Sequence, residues 1–347
     1  MKNYPRNAWY LAALHYEVRP GELLARTYLG EPVVLFRDAS GHISALADRC
    51  PHRFAPLSAG ALRDDGNTVQ CLYHGLTFDA SGACVGNPQG QPPRNASVRA
   101  YTASERAGLV WIWMGDAALA DDAAIPDYSA VTQADPDGTI RGYLPTACDA
   151  LLLVDNILDL THVDYLHATT LGSGALTRAK AEVTDPSDRS VAISWLSRGD
   201  LAPAAFDAHL REHGKLTDQW TEVTWTAPST MLLSTGATLQ GEPREQGVNT
   251  LNLHMATPET SNRTHYWYWS TRDFAVSPAA NAHIKAMLEH VFGQEDKPML
   301  EAQQARMGEE DFWSLKPILL AGDVGAVRVR RKLRAIVGAE QALVPSA

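Results

Sequence analysis

The sequence predicts a chain of two domains in the α+β class, a small β domain followed by a larger domain of mixed helices and strands. Its length of 347 residues corresponds to about two domains of ordinary size. Roughly the first 115 residues contain only short apolar runs separated by turn sequences, which is typical of β structure. Helical periodicity begins after that point and is longest near the end of the chain.

The strands of the β domain are predicted from short runs rich in Val, Ile, Leu and aromatic residues. Each run ends at a turn sequence rich in Asp, Ser, Asn or Gly. The predicted strands are 32–37, 42–48, 68–72, 76–79 and 109–114. A stretch rich in Asp, Ala and Pro at 116–138 predicts a connector, so that the first domain is expected to comprise residues 1–138.

The second domain, expected at 139–347, alternates between helical and strand-like patterns. A helix is predicted to begin near Cys148, because Leu151, Leu152, Val154 and Ile157 follow it at helical spacing. Five strand-like segments come next, at 190–196, 222–225, 231–234, 250–255 and 264–270. Two long helical patterns, 281–307 and 323–336, close the chain.

Composition and charge exclude several classes of function. Thirty Lys and Arg residues against forty Asp and Glu give a net charge of −10, which argues against nucleic acid or an anionic membrane surface as the main partner. The N-terminal apolar run at 8–14 is too short for a membrane span and makes a poor signal peptide. Four cysteines in so long a chain are not a disulfide framework, so we expect a cytoplasmic protein.

Two Cys-His pairs form the first candidate site. Cys50-Pro51-His52 and Cys71-Leu72-Tyr73-His74 each lie at the end of a predicted strand, and eighteen residues separate them. Four such ligands can hold a tetrahedral zinc, but structural zinc sites usually space their paired ligands differently. The pattern favours a Rieske [2Fe–2S] cluster, in which two Cys bind one iron and two His bind the other. Cys84 and Cys148 have no neighbouring His and are interpreted as core residues.

A second group of ligand-type residues surrounds His162 and His167. Asp155, Asp159 and His162 are spaced to share one helix face, and the helix must end or bulge before His167 if both histidines are to bind one metal. Two His and one carboxylate form the facial triad of non-haem Fe(II) oxygenases. From spacing alone the carboxylate stays open among Asp164, Glu289, Glu295, Asp296 and Glu301.

Taken together, these segments resemble the oxygenase component of Rieske non-haem iron oxygenases, and the resemblance covers nearly the whole chain. Within the family the chain looks most similar to the short group that contains vanillate O-demethylase, dicamba O-demethylase and toluenesulfonate methyl-monooxygenase. The segments that carry the resemblance are Arg6-Asn-Ala-Trp-Tyr10, Cys50-Pro-His-Arg-Phe-Ala-Pro-Leu57, Cys71-Leu-Tyr-His-Gly75, Asn156-Ile-Leu-Asp-Leu-Thr-His162, His167-Ala-Thr-Thr-Leu-Gly172 and Glu295-Asp-Lys297.

The resemblance implies a set of metal ligands. It implies that the [2Fe–2S] cluster is held by Cys50, His52, Cys71 and His74. It further implies that a mononuclear Fe(II) is held by His162, His167 and Asp296. The catalytic domain is then expected to be of the helix-grip (START-like) type, with the substrate in a cavity between a sheet and a long helix.

The resemblance also implies roles for residues beside the iron. Asp159 would be a bridging carboxylate that links a cluster histidine of one subunit to an iron-binding histidine of its neighbour, and Asn156 would lie close to the iron. Members of the family form head-to-tail homotrimers, because cluster and iron within one chain are too far apart for fast electron transfer. The subunit interface would therefore be part of the mechanism.

One histidine is a candidate for contact with the substrate. His254 falls where the dicamba enzyme has a substrate-contacting histidine, although a purely structural role in the core is an equal alternative. Where that enzyme uses an amide nearby, this chain has an apolar residue around Leu232 and Leu233. This departure argues against a dicamba-like substrate.

The function expected from these sites is that of a terminal oxygenase that uses O2 to hydroxylate a small aromatic substrate. Oxidative O-demethylation, with release of formaldehyde, is the expected reaction. No Rossmann or flavin fingerprint is present, so a separate NAD(P)H-dependent reductase, by resemblance a flavin and ferredoxin protein, must supply electrons. Aryl-methyl hydroxylation, N-demethylation and ring dioxygenation stay open, and a Rieske electron carrier without catalysis is the alternative from another class.

Overall fold

The computed structural model of the protein describes residues 3–172 and 174–343. It divides the chain into two compact units. The first contains residues 3–126, Thr257–Thr260 and residues 339–343, and the second contains Asp127–Ala256 and Ser261–Gly338. The division lies inside the stretch at 116–138 that the sequence predicts to be a connector, and residues 127–138 belong to the second unit.

The first unit is built from two antiparallel sheets. Its strands are β1 (Trp9–Leu14), β2 (Leu24–Tyr28), β3 (Glu31–Arg37), β4 (Ile43–Ala47), β5 (Ala61–Leu62), β6 (Thr68–Gln70), β7 (Thr77–Asp79), β8 (Cys84–Gly86), β9 (Ala100–Arg106) and β10 (Leu109–Trp113). Six of them form a sheet in the order β1-β10-β9-β4-β3-β2, and the other four form a small sheet in the order β5-β6-β7-β8. The all-β first domain predicted from the sequence is therefore confirmed.

Both predicted cluster cysteines lie in the apolar core of this unit. Cys50 and Cys71 pack among buried aliphatic and aromatic side chains that include Phe36, Leu46 and Phe78. Cys50 follows β4 and Cys71 follows β6 directly, so each begins a loop at the end of a strand. The core thus fixes the start of each loop, while the rest of the loop extends toward solvent.

The second unit contains a seven-stranded antiparallel sheet. Its strands are β11 (Thr139–Tyr143), β12 (Glu182–Ser187), β13 (Ser190–Leu201), β14 (Leu216–Thr226), β15 (Thr230–Leu239), β16 (Val248–Thr260) and β17 (Arg263–Arg272). The order is β11-β17-β16-β15-β14-β13-β12, so that β12 to β17 form a meander and β11 joins at the edge. The strands expected near residues 190–270 are all present.

Helices complete the second unit. They are α1 (Ser129–Thr132), α2 (Ala150–Leu158), α3 (Val163–Leu166), α4 (Ala175–Arg178), α5 (Ala204–Asp207), α6 (Pro278–His290), α7 (Lys297–Met307) and α8 (Val324–Ala342). A π-helical segment, Val291–Asp296, joins α6 to α7. Within residues 3–172 and 174–343, none of these helices is both long enough and apolar enough to cross a membrane.

The helix predicted near Cys148 begins at an N-cap. The side chain of Asp149 accepts a hydrogen bond from the backbone N–H of Leu151 at 2.7 Å, which satisfies one of the free donors at the start of α2. Seven of the nine residues of α2 are buried. This helix therefore lies in the core of the second unit, with the two metal-site histidines just beyond its end.

Candidate metal centres and substrate cavity

The loop that begins at Cys50 is closed by two backbone hydrogen bonds. The N–H of Cys50 donates to the carbonyl of Ala55 at 2.8 Å, and the N–H of Phe54 donates to the carbonyl of Cys50 at 2.9 Å. Phe54 has a φ of 61°, a left-handed conformation that is uncommon for a bulky residue. Such a conformation persists only where the surrounding bonds impose it, which is typical of functional loops.

The loop that begins at Cys71 follows the same course. The N–H of Cys71 donates to the carbonyl of Leu76 at 2.8 Å, and that of Gly75 donates to the carbonyl of Cys71 at 2.8 Å. Gly75 has a φ of 82°, at the position equivalent to Phe54. A Cβ at Gly75 would lie 2.5 Å from Cγ of Pro88, so glycine is also required for space. The two loops are thus equivalent in geometry, a relation that the Cys-His spacing alone does not reveal.

The four predicted cluster ligands divide into a buried pair and an outer pair. Cys50 and Cys71 are each 2% exposed, and burial raises the pKa of the Cys50 thiol, which the neighbouring Cys71 raises further. The rings of His52 and His74 lie 4.5 Å apart between centroids, and His52 is exposed. This division, with sulfur inside and imidazole outside, fits a [2Fe–2S] cluster that two Cys and two His bind through different irons.

A single zinc ion fits this geometry poorly. Four ligands of one ion would have to converge, because zinc binds sulfur and nitrogen at about 2.0 to 2.3 Å. Among the residues that the structure describes, one group of three or more ligand-type side chains converges to within 4.8 Å, and it does not include these four. The geometry therefore favours the two-metal cluster over the zinc alternative.

The converging group is His162, His167 and Asp296 in the second unit, whose ligand atoms all lie within 4.8 Å of one another. Oδ1 of Asp296 is 3.1 Å from Nε2 of His167 and 3.5 Å from Nε2 of His162. His167 and Asp296 are buried, and His162 is partly exposed. Two imidazoles and one carboxylate on the same side of a possible metal position form the donor set of a facial triad.

The chain reaches this geometry by ending a helix earlier than the spacing suggests. The prediction that Asp155, Asp159 and His162 share one helix face is wrong, because α2 ends at Leu158. Asp159 instead caps the short helical turn Leu160–His162, and its Oδ1 accepts hydrogen bonds from the N–H and the hydroxyl of Thr161. α3 also ends just before His167. This second break is needed because two ligands five residues apart do not share a face of a continuous helix.

Asp155 faces away from the metal-type site and pairs with the last helix. Its Oδ2 accepts hydrogen bonds from the guanidinium of Arg330 in α8 at 2.5 and 2.9 Å. Burial raises the pKa of Asp155 to about 6, although Arg330 opposes the shift. The role of this pair is to hold α2 against α8, since a buried carboxylate without its partner would be strongly destabilising.

Hydrogen bonds to the far nitrogens orient both histidines. Nδ1 of His162 lies 2.6 Å from the backbone carbonyl oxygen of Asp159, and Nδ1 of His167 lies 2.6 Å from Oε2 of Glu295. Both partners are acceptors, so each Nδ1 must carry the hydrogen. Each Nε2 therefore faces Asp296 and is the nitrogen that can bind a metal once it gives up its proton.

The carboxylates Glu295 and Asp296 lie at the end of the π-helical segment between α6 and α7. Such segments are rare and occur often at functional sites, because the wider turn changes which side chains share a face. Of the five carboxylates that spacing left open, the structure brings Asp296 to the histidines. Glu295 contacts His167 from the other side, and this role was missed in the sequence reasoning although it is adjacent to Asp296.

Charge in the triad is balanced in a way that suits a divalent cation. Burial alone would raise the pKa of Asp296, but hydrogen bonds from His162 and His167 outweigh it and lower the pKa to about 2. Burial opposes the charging of His167, yet Asp296 and Glu295 together raise its pKa. Anionic Asp296 thus attracts positive charge onto the ligand nitrogens, and a metal ion would replace the protons they share.

Asn156 touches two members of the triad. Its Nδ2 donates to Oδ1 of Asp296 at 3.1 Å and lies 3.4 Å from Nε2 of His162. The expectation that Asn156 lies beside the metal position thus agrees with its contacts. A side chain that donates to the carboxylate orients that carboxylate and does not compete with the histidines for the metal.

Replacing Glu295 by Gln is expected to weaken Fe(II) binding by about 10- to 100-fold, because the amide is a poorer acceptor for Nδ1–H of His167 and no longer increases its basicity. The measurement is an anaerobic Fe(II) titration of protein that keeps its cluster but has been depleted of mononuclear iron. Glu289→Gln is the matched control, since Glu289 is exposed and pairs with Lys285. Equal Fe(II) affinity in Glu295→Gln and wild type would contradict the orienting role.

A cavity of about 420 Å³ opens beside the triad, and His162, His167 and Asp296 form part of its wall. Strands β13 to β17 form one side and α6 another, which is the helix-grip arrangement expected from the resemblance. Most of the lining is apolar, with side chains such as Trp195, Trp220, Leu233, Phe274 and Phe292. A cavity of this size and character suits a small aromatic molecule.

His254 lies in the wall of the cavity and is 1% exposed. Its Nδ1 is 2.7 Å from the hydroxyl of Tyr266, whereas its buried Nε2 has no hydrogen-bond partner among the described residues. Burial lowers the pKa of His254 to about 4, so the ring is neutral near pH 7. A buried polar atom without a partner beside a cavity is a position for a ligand to contact.

The pKa of His254 predicts an acid-dependent loss of stability. The native value of about 4 lies below the ordinary value of 6.5, so the unfolded chain binds more protons between these pH values. Stability is therefore complete above pH 6.5 and falls as the pH drops toward 4. Relative to His254→Gln, the free energy of unfolding should fall by about 2 kcal/mol between pH 7.5 and pH 5, as measured by urea denaturation. Parallel pH profiles for the two proteins would contradict this.

The apolar position noted in the sequence is Leu233, which lines the cavity. Its partner on the neighbouring strand is Asn252, just as Met231 is the partner of His254. Asn252 and His254 are two residues apart on β16 and both line the cavity. The cavity wall therefore does contain an amide, that of Asn252. It lies on β16, the strand next to the apolar position of Leu233.

Comparison with known families agrees with both centres. Residues 8–102 match the family model described as the Rieske [2Fe-2S] domain. Residues 146–339 match the one described as the vanillate O-demethylase oxygenase C-terminal domain. The first range contains both Cys-His loops, and the second contains the triad and the cavity.

Individual relatives match along nearly their whole length. The chain is 40% identical over 339 residues to the oxygenase component of chloroacetanilide N-alkylformylase from Rhizorhabdus wittichii, covering 96% of each chain. It is 38% identical over 344 residues to the oxygenase component of dicamba O-demethylase from Stenotrophomonas maltophilia, covering 98% of this chain and 99% of the relative. A crystal structure of dicamba monooxygenase with non-haem iron and dicamba matches with a TM-score of 0.83 at 35% identity, covering 98% of this chain and 99% of that chain.

Proposed function

The chain belongs to the Rieske oxygenases with a vanillate O-demethylase type of catalytic domain, and from this premise we propose that it O-demethylates a small methoxyaromatic compound. It is the oxygenase component of a Rieske monooxygenase, and its cofactors are a [2Fe–2S] cluster and a mononuclear non-haem iron. The observation that carries the proposal is the position of the His162, His167 and Asp296 triad in the wall of an apolar cavity.

In this proposal the Cys-His loops hold the cluster and the triad holds the iron. When bound, the two metal groups supply the electrons and the O2 activation that place one oxygen atom in a C–H bond of the substrate. Residues of this chain position the reaction: Glu295 and the carbonyl of Asp159 orient the histidines, and Asn156 orients Asp296. The apolar lining excludes water, which protects the reaction from side products.

The size and character of the cavity support a methyl ether as substrate. An aromatic ring can pack against the apolar wall, while a methoxy group on that ring extends toward the triad. Hydroxylation of the O-methyl carbon gives a hemiacetal, whose C–O bond then breaks to release a phenol and formaldehyde. No side chain has to act as a nucleophile in this sequence.

N-dealkylation is the second candidate, because the relative from Rhizorhabdus wittichii is the oxygenase component of a chloroacetanilide N-alkylformylase. The same triad and cavity serve both reactions, since each begins with hydroxylation of a carbon next to a heteroatom. An electron carrier without catalysis requires neither a triad nor a cavity, and both are present here.

We further propose that the chain works as a head-to-tail homotrimer in which Asp159 links two copies. The carbonyl of Asp159 already accepts from His162, and its carboxylate Oδ2 has no hydrogen-bond partner among the described residues. That oxygen can accept an N–H from a cluster histidine of a neighbouring copy. In the first unit, His52 and the apolar side chains of Phe54, Leu72 and Tyr73 are exposed around the cluster loops, where another copy can cover them.

Gly322 supports this role for Asp159 through close packing. A Cβ at Gly322 would lie 2.6 Å from Oδ2 and 2.8 Å from Oδ1 of Asp159, so only glycine leaves the carboxylate in place. The sequence reasoning did not single out Gly322, because the segment Ala321–Asp323 is 162 residues away from Asp159 along the chain. The carboxylate is thus held in a defined position, as a group that transmits electrons between copies requires.

A separate reductase is a required partner of an oxygenase component. The sequence has no Rossmann fingerprint for a nicotinamide or flavin, so we propose that this reductase takes the electrons from NAD(P)H. From the family resemblance we propose that it contains flavin and a ferredoxin-type centre. We also propose a cytoplasmic location, where NAD(P)H is available and thiols stay reduced.

The experiment that tests the reaction is the assay of purified oxygenase with a flavin and ferredoxin reductase, NADH and a panel of methoxyaromatic compounds. O-demethylation is supported if the amount of formaldehyde formed equals both the amount of phenol formed and the amount of O2 consumed. Hydroxylated product that keeps its methoxy group would contradict it and point to hydroxylation elsewhere on the substrate.

A further inference from the structure

Arg272 has a buried positive charge that no carboxylate balances. The residue is 8% exposed and forms part of the cavity wall. Its guanidinium donates to the backbone carbonyls of Asp137, Gly138 and Ala275 at 2.9 to 3.4 Å, and its buried Nε has no partner among the described residues. Burial lowers the pKa of Arg272, and no nearby carboxylate opposes the shift. Carbonyl groups satisfy N–H donors but do not neutralise a charge, so an anion is still favoured beside this side chain.

Two other arginines with similarly enclosed side chains do have carboxylate partners. Arg26 pairs with Glu17 at 2.6 Å, and Arg330 pairs with Asp155 at 2.5 Å. These pairs follow the general rule that a buried cation has an anionic partner. Arg272 departs from that rule at a place where the chain leaves room for a ligand.

The strand register places Arg272 at one end of the cavity. The backbone N–H of Asp273 donates to the carbonyl of Asn249 at 3.2 Å, which places Arg272 directly opposite Thr250 on β16. Both side chains line the cavity. His254, which also lines it, is four residues further along β16, or about 13 Å. His254 packs against the π-helical segment that ends in the triad.

The α6 side of the cavity gives the same length. His283 and Val291 both line the cavity and are eight residues apart, which is about 12 Å along a helix. Val291 begins the π-helical segment that ends at Asp296. Asn281, near the start of α6, donates to the same turn of the chain that Arg272 holds. The Oδ1 atom of Asn281 is also buried without a partner among the described residues, but a neutral amide cannot balance the charge of Arg272.

The end of the cavity at Arg272 is basic. His209 packs against the ring of Phe274, two residues beyond Arg272, and His283 lines the same end from α6. Among the described residues that line the cavity, Asp296 of the triad is the only Asp or Glu. A chain with a net charge of −10 thus has no carboxylate at this end of the cavity that would repel an anion.

We propose that Arg272 binds an anionic oxygen group, such as a carboxylate, at the end of the cavity opposite the triad. The substrate then has its methoxy group and its anionic group at opposite ends of the molecule, as a para-substituted ring does. The inference rests on the proposed function, because it names the substrate class of the same cavity. Arg272 is a specificity-determining residue in this account, and its effect is on affinity.

The test compares three compounds on the holoenzyme without O2, with binding measured by calorimetry. The first, para-methoxybenzoate, is extended and anionic, para-methoxybenzamide is extended and neutral, and ortho-methoxybenzoate has both groups on one side of the ring. We expect para-methoxybenzoate to bind at least about tenfold more tightly than either of the others, as one charge-assisted hydrogen bond provides. A para amide that binds as tightly, or an ortho acid that binds more tightly, would overturn the proposal.

Variants of Arg272 separate its charge from its contacts with the turn. In Arg272→Gln the affinity for para-methoxybenzoate should fall about tenfold, while that for para-methoxybenzamide changes less than about twofold. Loss of the turn contacts alone would weaken both compounds equally, so the ratio of the two affinities is the decisive readout. Arg272→Lys retains the charge and should keep most of the preference for the acid. An unchanged ratio in Arg272→Gln would overturn the role of Arg272.

A variant of Thr250 tests the same charge and serves if Arg272→Gln does not fold. Thr250→Glu places a carboxylate on the strand position opposite Arg272, within reach of the guanidinium. That carboxylate should compete with the anion of the substrate and abolish the preference for para-methoxybenzoate over the amide. Thr250→Gln is the matched neutral control and should retain the preference. An equal preference in the Glu and Gln variants would contradict the proposal.

Formaldehyde release distinguishes this inference from the proposed function. Release of formaldehyde from all three compounds with equal affinities would overturn the anion site and leave O-demethylation standing. Tight, Arg272-dependent binding of para-methoxybenzoate, without formaldehyde from any methoxyaromatic compound, would support the anion site and overturn O-demethylation.

Discussion

The His162→Ala variant is expected to lose turnover while it keeps a complete Rieske cluster. Nε2 of His162 is one of three ligand atoms that converge in the triad, and removing one of two imidazoles leaves too few donors to hold Fe(II). Product formation should fall at least about a thousandfold, which corresponds to ~4 kcal/mol of activation free energy. The cluster ligands lie in the other unit of the chain, so its reduced spectrum should not change.

The measurement is iron content and formaldehyde release in parallel. His162→Ala should lose about one of about three irons per chain, since the [2Fe–2S] cluster retains two. His209→Ala is the matched control for metal content, because this cavity histidine packs against the ring of Phe274 outside the triad. Full turnover in His162→Ala would contradict the assignment of the triad as the iron site. It would favour the alternative hypothesis of an electron carrier without catalysis.

The Asp159→Asn variant is expected to keep both metal groups and to lose coupled turnover. The backbone carbonyl that orients His162 is unchanged, and Oδ1 of the amide can still accept from Thr161. The amide nitrogen, however, replaces the acceptor Oδ2 by a donor, which would face the N–H of a cluster histidine from the neighbouring copy. Loss of this charge-assisted bond and the new donor–donor contact should slow electron transfer about a hundredfold, or ~2.7 kcal/mol.

Single-turnover kinetics test this directly. Protein with both metal groups reduced is mixed with O2 and substrate, and reoxidation of the cluster is followed by its absorbance. Asp185→Asn is the control, since Asp185 is a surface carboxylate that pairs with Lys332 and Arg328. Reoxidation at the wild-type rate in Asp159→Asn, with product formed in full, would exclude the bridging role.

The sequence contains enough information to predict the two metal centres, because the signals are local. The Cys-His pairs are two and three residues apart, and the strands before them are short apolar runs. His162 and His167 lie within one segment, so their proximity follows from spacing once a break in the helix is allowed. Strand patterns in the second unit are equally local and agree with β13 to β17, whereas the edge strands β11 and β12 were not predicted.

Sequence spacing could not predict the features that depend on contacts between distant segments of the chain. Asp296 approaches His162 from 134 residues further along the chain, and a π-helical segment decides that it, and not Glu301, faces the histidines. Glu301 instead accepts a hydrogen bond from the backbone of Ala147. Asp155 was predicted to share a helix face with Asp159 and His162, but its partner Arg330 lies 175 residues away.

The measurement that tests the central claim most directly is the metal content and spectrum of the purified protein. Iron and acid-labile sulfide are counted per chain, and EPR is recorded after reduction with dithionite. The account predicts a brown protein with a Rieske-type reduced signal, about two sulfides and about three irons per chain. A colourless protein that contains zinc would contradict it, since neither the cluster nor the mononuclear iron would then be present to carry the reaction.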